Sequence, residues 1–202
     1  TLSAPIIGMG HSLGAVATSI CAAEHPRLFS ALVLVDPVFF TRRRLRRIAW
    51  MRRLGLEGLL PRVRGARRRR RRFVSKTEAL KRFTSGRGIF KTWSQEFVRA
   101  YLECGILVKD PQTAVLTCDP ELEAQIFASV PLDIWQYVAR IRCPVLAIRG
   151  GKSDVFTEAA AERLQTFLPD CRVITLPGCG HFPPMEKPAE TAAAILEFLS
   201  AE

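Results

Sequence analysis

The chain has 202 residues, 48% hydrophobic and 24% charged, enough to bury the core of one large domain or of a domain with an insertion; intrinsically disordered and collagen-like classes are excluded. No stretch reaches the roughly 18 to 20 uninterrupted apolar residues of a membrane-spanning helix, and the most apolar segment, 30–40, carries Asp36 in its middle. The net charge of +11 is concentrated at positions 42–91, where 17 Arg and 3 Lys face only Glu57 and Glu78, so the rest of the chain is net acidic.

In chain order, Ala4 to Gly10 is a short apolar run ending in glycines. It leads into Ser12 to Glu24, where small and apolar residues recur at helical spacing: strand, sharp turn, helix. His25-Pro26 stops that helix, and Ala31 to Val35 reads as a parallel strand buried on both faces. Pro144 to Ile148 is a third strand, Thr157 to Leu168 a helix, Arg172 to Leu176 a fourth strand and Pro188 to Leu199 a closing helix with Pro in its first turn. Such alternation predicts a mostly parallel sheet with helices on both faces. Between the second and third strands, 37–140 shows no strand-like run. A capping box at Ser75 to Glu78 precedes a helix over Ala79 to Phe83, and Gln95 to Val108, Pro120 to Phe127 and Leu132 to Ile141 are amphipathic. The expected organisation is a core in two pieces, 1–36 and 141–202, around an all-helical insert at 37–140.

Arg67 to Arg72 is a block of six arginines. Like charges in such a run repel one another, so a solvated, mobile loop is expected. The block lacks interleaved aromatics, zinc-finger spacing and an aromatic RNA-binding signature, which argues against a specific nucleic-acid partner. The six cysteines, Cys21, Cys104, Cys118, Cys143, Cys171 and Cys179, form no Cys-x-x-Cys pair and lie near no His cluster. Reduced thiols in the cytoplasm are expected, with no metal site and no cofactor. The sequence opens on Thr1, so it is silent on upstream targeting segments.

Gly10-His11-Ser12-Leu13-Gly14 sits where a strand becomes a helix, the context a Gly-x-Ser-x-Gly nucleophile elbow requires. The turn strains the backbone of the nucleophile, and Gly10 and Gly14, extended by Gly8 and Ala15, give strand and helix room to pass. Ser12 is thereby exposed at the strand's carboxyl end, and the Leu13 N–H is the candidate oxyanion donor. A serine needs a base. His11 is expected to project away from Ser12 and His25 ends a helix, which leaves His181 in the Gly-rich loop after the fourth strand. Asp154, in the turn after the third strand, is the expected orienting acid. Asp36, at the end of the second strand, is its rival but also reads as a strand terminator with Pro37.

With these residues in view, the chain resembles the α/β-hydrolase family over essentially its full length. The elbow, Leu34-Val35-Asp36-Pro37, Leu146 to Gly150 with Ser153-Asp154, and Gly178 to Phe182 with Glu186-Lys187-Pro188 carry the likeness. Segments around Phe90 to Trp93, Tyr101 to Gly105 and Pro120 to Ala124 resemble a capped subgroup that includes lipase-like and toxin-pathway hydrolases. The resemblance implies strands ahead of the elbow and an upstream loop, often His-Gly, that donates a second oxyanion N–H. The sequence begins at about the elbow strand, so the expectation is a carboxyl-terminal portion of the fold with an unpaired hydrophobic edge and poor folding behaviour. A lost oxyanion donor costs on the order of 100- to 1,000-fold in turnover.

Serine at the elbow, where related epoxide hydrolases and haloalkane dehalogenases use Asp, implies an acyl-enzyme on an ester, thioester or amide. A carboxylic ester is the leading substrate class. An acyltransferase or a carbon–carbon bond hydrolase is compatible with the same triad, and a non-catalytic ligand-binding protein or a polyanion-binding module is the rival from another class. The aromatics Phe39, Phe40, Trp50, Phe90, Trp93, Tyr101, Phe127, Trp135 and Tyr137 either line an apolar acyl pocket or form the insert's own core.

Overall fold

A computed structural model of the chain describes residues 5–85 and 88–201; Ala4, the start of the first apolar run, lies outside them. The described residues form two compact units. One comprises the chain up to Arg47 together with Pro131 onward, and the other is Ile48–Val130.

The first unit opens with β1 (Ile6–His11), α1 (Leu13–Glu24) and β2 (Phe29–Val35), followed by α2 (Arg42–Arg53), which runs on into the second unit. α1 buries Ala15, Val16, Ser19, Ala22 and Ala23, small side chains that let it lie close to the sheet. It stops at His25, whose N–H donates to Cys21 O, because Pro26 follows and disfavours helix for the residue before it.

The second unit carries α3 (Pro61–Arg67), β3 (Arg72–Phe73), α4 (Lys76–Phe83), α5 (Gln95–Gly105), β4 (Ile106–Asp110), β5 (Thr113–Leu116) and α6 (Pro120–Ala128). The insert is therefore not all-helical: β3, β5 and β4 form an antiparallel sheet in that order. The helix expected through Val108 ends at Gly105. The β-branched Ile106 and Val108 enter a hairpin whose turn is nucleated by Asp110, its carboxylate accepting from the Gln112 N–H at 2.9 Å. Phe73, Ala79, Phe90, Val98, Leu102, Ile106, Ala114 and Leu116 make the core, against which Phe83, Trp93 and Tyr101 pack. The aromatics Phe90, Trp93 and Tyr101 thus belong to the unit's own core.

The arginine block is not a mobile loop. Arg67 closes α3, Arg72 opens β3, and four of the six arginines are paired: Arg67 with Glu121, Arg69 with Glu123, Arg70 with Glu78 and Arg71 with Asp119. Arg69 also donates to Tyr101 Oη at 2.9 Å. Carboxylates of α4, α6 and the α6 N-cap neutralise what self-repulsion alone would unfold.

The chain returns to the first unit through α7 (Ile134–Val138), β6 (Val145–Gly150), α8 (Glu158–Phe167), β7 (Cys171–Leu176), α9 (Pro183–Glu186) and α10 (Pro188–Ser200). The stretches 37–47 and 131–140, expected within the insert, lie in this unit. Phe39 packs on Trp135 and Phe156 with ring centroids 5.7 and 6.1 Å apart, and the Trp135 indole N–H donates to Phe40 O at 2.8 Å.

The sheet is parallel throughout, in the order β1-β2-β6-β7, with β1 at one edge. Ala31, Val33 and Val35 pack with Leu146, Ile148, Ala194 and Phe198, under α10. On the other face Gly8 fits between Leu32 and Thr18 of α1, where a Cβ would lie 2.8 Å from each. Each fully buried aliphatic contributes about 1.5–3 kcal/mol, so a one-residue slip of β2 is strongly disfavoured. The register aligns His11 with Val35, Val35 with Ile148 and Gly150 with Leu176. Four loops consequently leave the sheet at the same carboxyl end.

Candidate active site

Ser12 sits in the turn from β1 into α1 with φ 55° and ψ −116°, a conformation a side-chain-bearing residue rarely adopts and that costs of order 1–3 kcal/mol. The turn is pinned on one side by the Ser12 N–H, which donates to Val35 O at 2.9 Å. On the other, a Cβ on Gly10 would lie 2.5 Å from Ala15 N. Gly10 is required by this close approach, whereas nothing among the described residues lies within 4 Å of a Cβ on Gly14. Ser12 occupies the N-cap of α1, yet its hydroxyl makes no capping bond; it lies 2.8 Å from His181 Nε2. Leu13 is the first residue of α1, so its N–H belongs to a helix turn whose amides lack intrahelical acceptors.

His181 enters from the loop after β7. Its Nδ1 lies 2.7 Å from Asp36 Oδ2. A carboxylate only accepts, so Nδ1 carries the proton and Nε2 is left to accept from the Ser12 hydroxyl. The structure thus brings Ser12 and His181 together as expected, but the acid beside His181 is Asp36 and not Asp154. Asp154 lies in the loop after β6, where its backbone carbonyl accepts from the Arg44 guanidinium. Asp36 is fully buried, and its backbone lies in the left-handed region with φ 42° while its N–H donates to Ile148 O at 2.7 Å. That twist aims the carboxylate back over the sheet end, and aspartate is among the few residues that tolerate it. Besides His181, the Gly150 N–H and the Ser153 hydroxyl donate to the carboxylate at 2.9 and 2.5 Å. Three donors thus converge on the buried carboxylate.

The loop bearing His181 is fixed by contacts that no local sequence pattern marks. Gly150 packs so closely on the Gly180 carbonyl that no side chain fits there, and Lys152 N–H donates to Cys179 O at 2.8 Å. The Glu186 carboxylate accepts from Gly180 N at 2.9 Å and Phe182 N at 3.2 Å. His11 Nε2 lies 2.8 Å from the His181 carbonyl oxygen. Its side chain, expected to project away from Ser12, ends on the backbone of His181. The signal for Asp36 was present, since Asp36-Pro37 was weighed as the rival. No local pattern marks which of two carboxylates reaches a distant imidazole.

Burial pushes the Cys179 thiol up to about 11 and that of Cys171 to about 12. Among the described residues no group of three or more His, Cys, Asp or Glu is placed to hold a metal, and no helix is long and apolar enough to cross a membrane.

A strained serine at a strand-to-helix turn, with an imidazole and a carboxylate delivered from later strand ends of a parallel α/β core, is the arrangement that the nucleophile elbow of the α/β-hydrolase fold presents. Residues 2–194 match the alpha/beta hydrolase family, and the chain belongs to it. It is 25% identical over 193 residues to the 2-(acetamidomethylene)succinate hydrolase of Mesorhizobium japonicum (strain LMG 29417 / CECT 9101 / MAFF 303099), over 96% of this chain and 63% of that protein. It is likewise 25% identical over 237 residues to the abhydrolase domain-containing protein ACTT2 of Alternaria alternata, covering 98% and 84% respectively. Among solved structures, an E-2-(acetamidomethylene)succinate hydrolase superposes with a TM-score of 0.71 at 22% identity, over 96% of this chain and 66% of that one. The Mycobacterium tuberculosis esterase Rv0045c gives 0.69 at 21%, over 96% and 62%. These two likenesses show the fold, and the chain spans a little under two-thirds of the length of the Mesorhizobium relative.

Proposed function

We propose that the chain carries the nucleophile, base and acid of a serine hydrolase, with Ser12 as nucleophile, His181 as general base and Asp36 as the orienting acid. The single observation that carries this is the His181 imidazole bridging Ser12 Oγ at 2.8 Å and Asp36 Oδ2 at 2.7 Å. As the Ser12 oxygen attacks an acyl carbon, its proton passes to His181 Nε2, and the buried Asp36 stabilises the imidazolium through Nδ1–H. His181 then returns that proton to the leaving group as the carbonyl re-forms. A water, deprotonated by the same nitrogen, releases the acid and restores Ser12. The Leu13 N–H is the proposed oxyanion donor within this chain.

A carboxylic ester is the proposed substrate class. A relative and a structural neighbour described as hydrolases, and another as an esterase, support hydrolysis as the reaction type. The test is intact-mass analysis after a fluorophosphonate probe, on the chain and on Ser12→Ala and His181→Gln. A single adduct that disappears in Ser12→Ala and forms far more slowly in His181→Gln supports the reading, and an ester chain-length series follows from it. A well-folded chain that takes up no probe overturns it. Product partition with a competing alcohol separates hydrolysis from acyl transfer.

A further inference from the structure

We propose that His11 is a positioning residue for the base, holding the His181 backbone so that its imidazole stays on Ser12. The inference rests on the triad proposed above and adds to it a residue outside the relay. His11 Nε2 is 2.8 Å from the His181 carbonyl oxygen, and a carbonyl only accepts, so Nε2 carries the proton and donates. The two imidazoles lie with centroids 5.1 Å apart, and the Phe182 ring packs 5.6 Å from His11.

The geometry closes a ring. Ser12 reaches the side chain of His181, and the residue covalently joined to Ser12 reaches its main chain. Any drift of the loop relative to the elbow therefore stretches two bonds rather than one. The amides on either side of His181 are occupied separately, since Gly180 N and Phe182 N both donate to the Glu186 carboxylate. Glu186 fixes the loop to its own helix, α9, but does not tie it to the elbow. His11 makes that tie, alongside the Ser12–His181 bond itself. Burial holds the His11 imidazole below its usual pKa, which favours the neutral ring carrying a single N–H.

An apolar replacement frees the carbonyl between His181 and Phe182. A nucleophile–base pair misplaced by about 1 Å loses on the order of 100-fold in rate. Glutamine can place an amide N–H about where Nε2 stands, whereas leucine cannot donate and asparagine is too short. The experiment compares the rate of Ser12 phosphonylation and, on any ester the chain turns over, kcat and KM for the parent, His11→Gln, His11→Leu and His11→Asn, with thermal unfolding of each. The expected result is that His11→Leu and His11→Asn slow labelling by roughly 10- to 100-fold with KM little changed, while His11→Gln recovers most of the rate. Two variants that cannot make this bond are included so that one folded example suffices. Labelling of His11→Leu or His11→Asn at the parental rate, or a His11→Gln as slow as either, overturns the proposal. A parent that takes no probe at Ser12 overturns the triad itself, and is told apart because it precedes any substitution.

Discussion

The Ser153 hydroxyl donates to Asp36 Oδ2 at 2.5 Å across 117 residues of sequence. Its lone pairs are occupied by the Val155 and Phe156 N–H groups at 3.1 and 3.4 Å, so the proton has one direction left to point. The loop after β6, expected to furnish the acid, instead furnishes donors to it through Ser153 and the Gly150 N–H. Asp36→Asn is expected to lower kcat by on the order of 1,000- to 10,000-fold, because the amide no longer fixes the Nδ1–H tautomer or stabilises the imidazolium. Asp154→Asn is expected to stay within about 10-fold of the parent, since Ser12 and Asp36 occupy both ring nitrogens of His181. Steady-state ester hydrolysis of the two variants decides between them, and the reverse ranking restores Asp154 as the acid.

Ser153→Ala leaves a buried carboxylate one donor short and two buried amides without an acceptor. It is expected to cost about 1–3 kcal/mol of stability, together with a smaller loss of kcat than Asp36→Asn. Urea unfolding and hydrolysis measured on the same preparations check both halves.

The parallel core was readable because hydrophobic pattern and turn chemistry agree there. Ala31 to Val35 is buried on both faces, His25-Pro26 ends α1 and the Ser75–Glu78 cap opens α4, with Ser75 Oγ accepting from Glu78 N at 3.1 Å. What was not readable depends on partners remote in sequence. Arg67 to Arg72 repels itself in isolation, and only Glu78, Asp119, Glu121 and Glu123, brought in by folding, turn it into ordered structure. The β4–β5 hairpin begins within the helical reading of Gln95 to Val108 and runs on through a stretch expected to hold no strand. The carboxylate that meets His181 is not the Asp154 expected, for a related reason. A left-handed Asp36 aims its carboxylate back over the sheet, and a backbone angle leaves no trace in the motif.

The two glycines of the elbow should behave oppositely. Gly10→Ala drives a methyl into the backbone of Gly14 and Ala15, which cannot yield without moving α1. A loss of at least about 3 kcal/mol or failure to fold is expected. Gly14→Ala meets nothing among the described residues, and as a helical position it is expected to keep the stability or raise it by up to about 1 kcal/mol. Thermal melts of the pair test this, and a destabilised Gly14→Ala together with a tolerated Gly10→Ala would refute the packing account.

The paired arginines should not be equivalent. Arg69 and Glu123 are about three-quarters shielded, with side-chain exposures of 23% and 22%, while Arg67 and Glu121 are half exposed at 47% and 50%. Glu123→Gln leaves a shielded guanidinium without its counterion and is expected to cost about 1–3 kcal/mol. Glu121→Gln should cost less, and that smaller difference should vanish in high salt, which screens exposed pairs most. Urea titrations at low and high sodium chloride read out both effects.

Acidification should weaken the fold through His11. Burial, the largest influence on this group, lowers its pKa in the folded chain below the ordinary 6.5; its bond to His181 opposes the shift only in part. As pH falls below 6.5 the unfolded chain therefore takes up a proton that the folded chain resists, and stability declines until the folded pKa is also passed. The contribution is fully present above the unfolded value and is lost on the acid side. His11→Gln removes the titrating group while retaining a donor for the His181 carbonyl, so its unfolding free energy should fall less steeply than the parent's from pH 7.5 to pH 5.5. Equal slopes for the two proteins would show that protonation of other groups governs the acid limb.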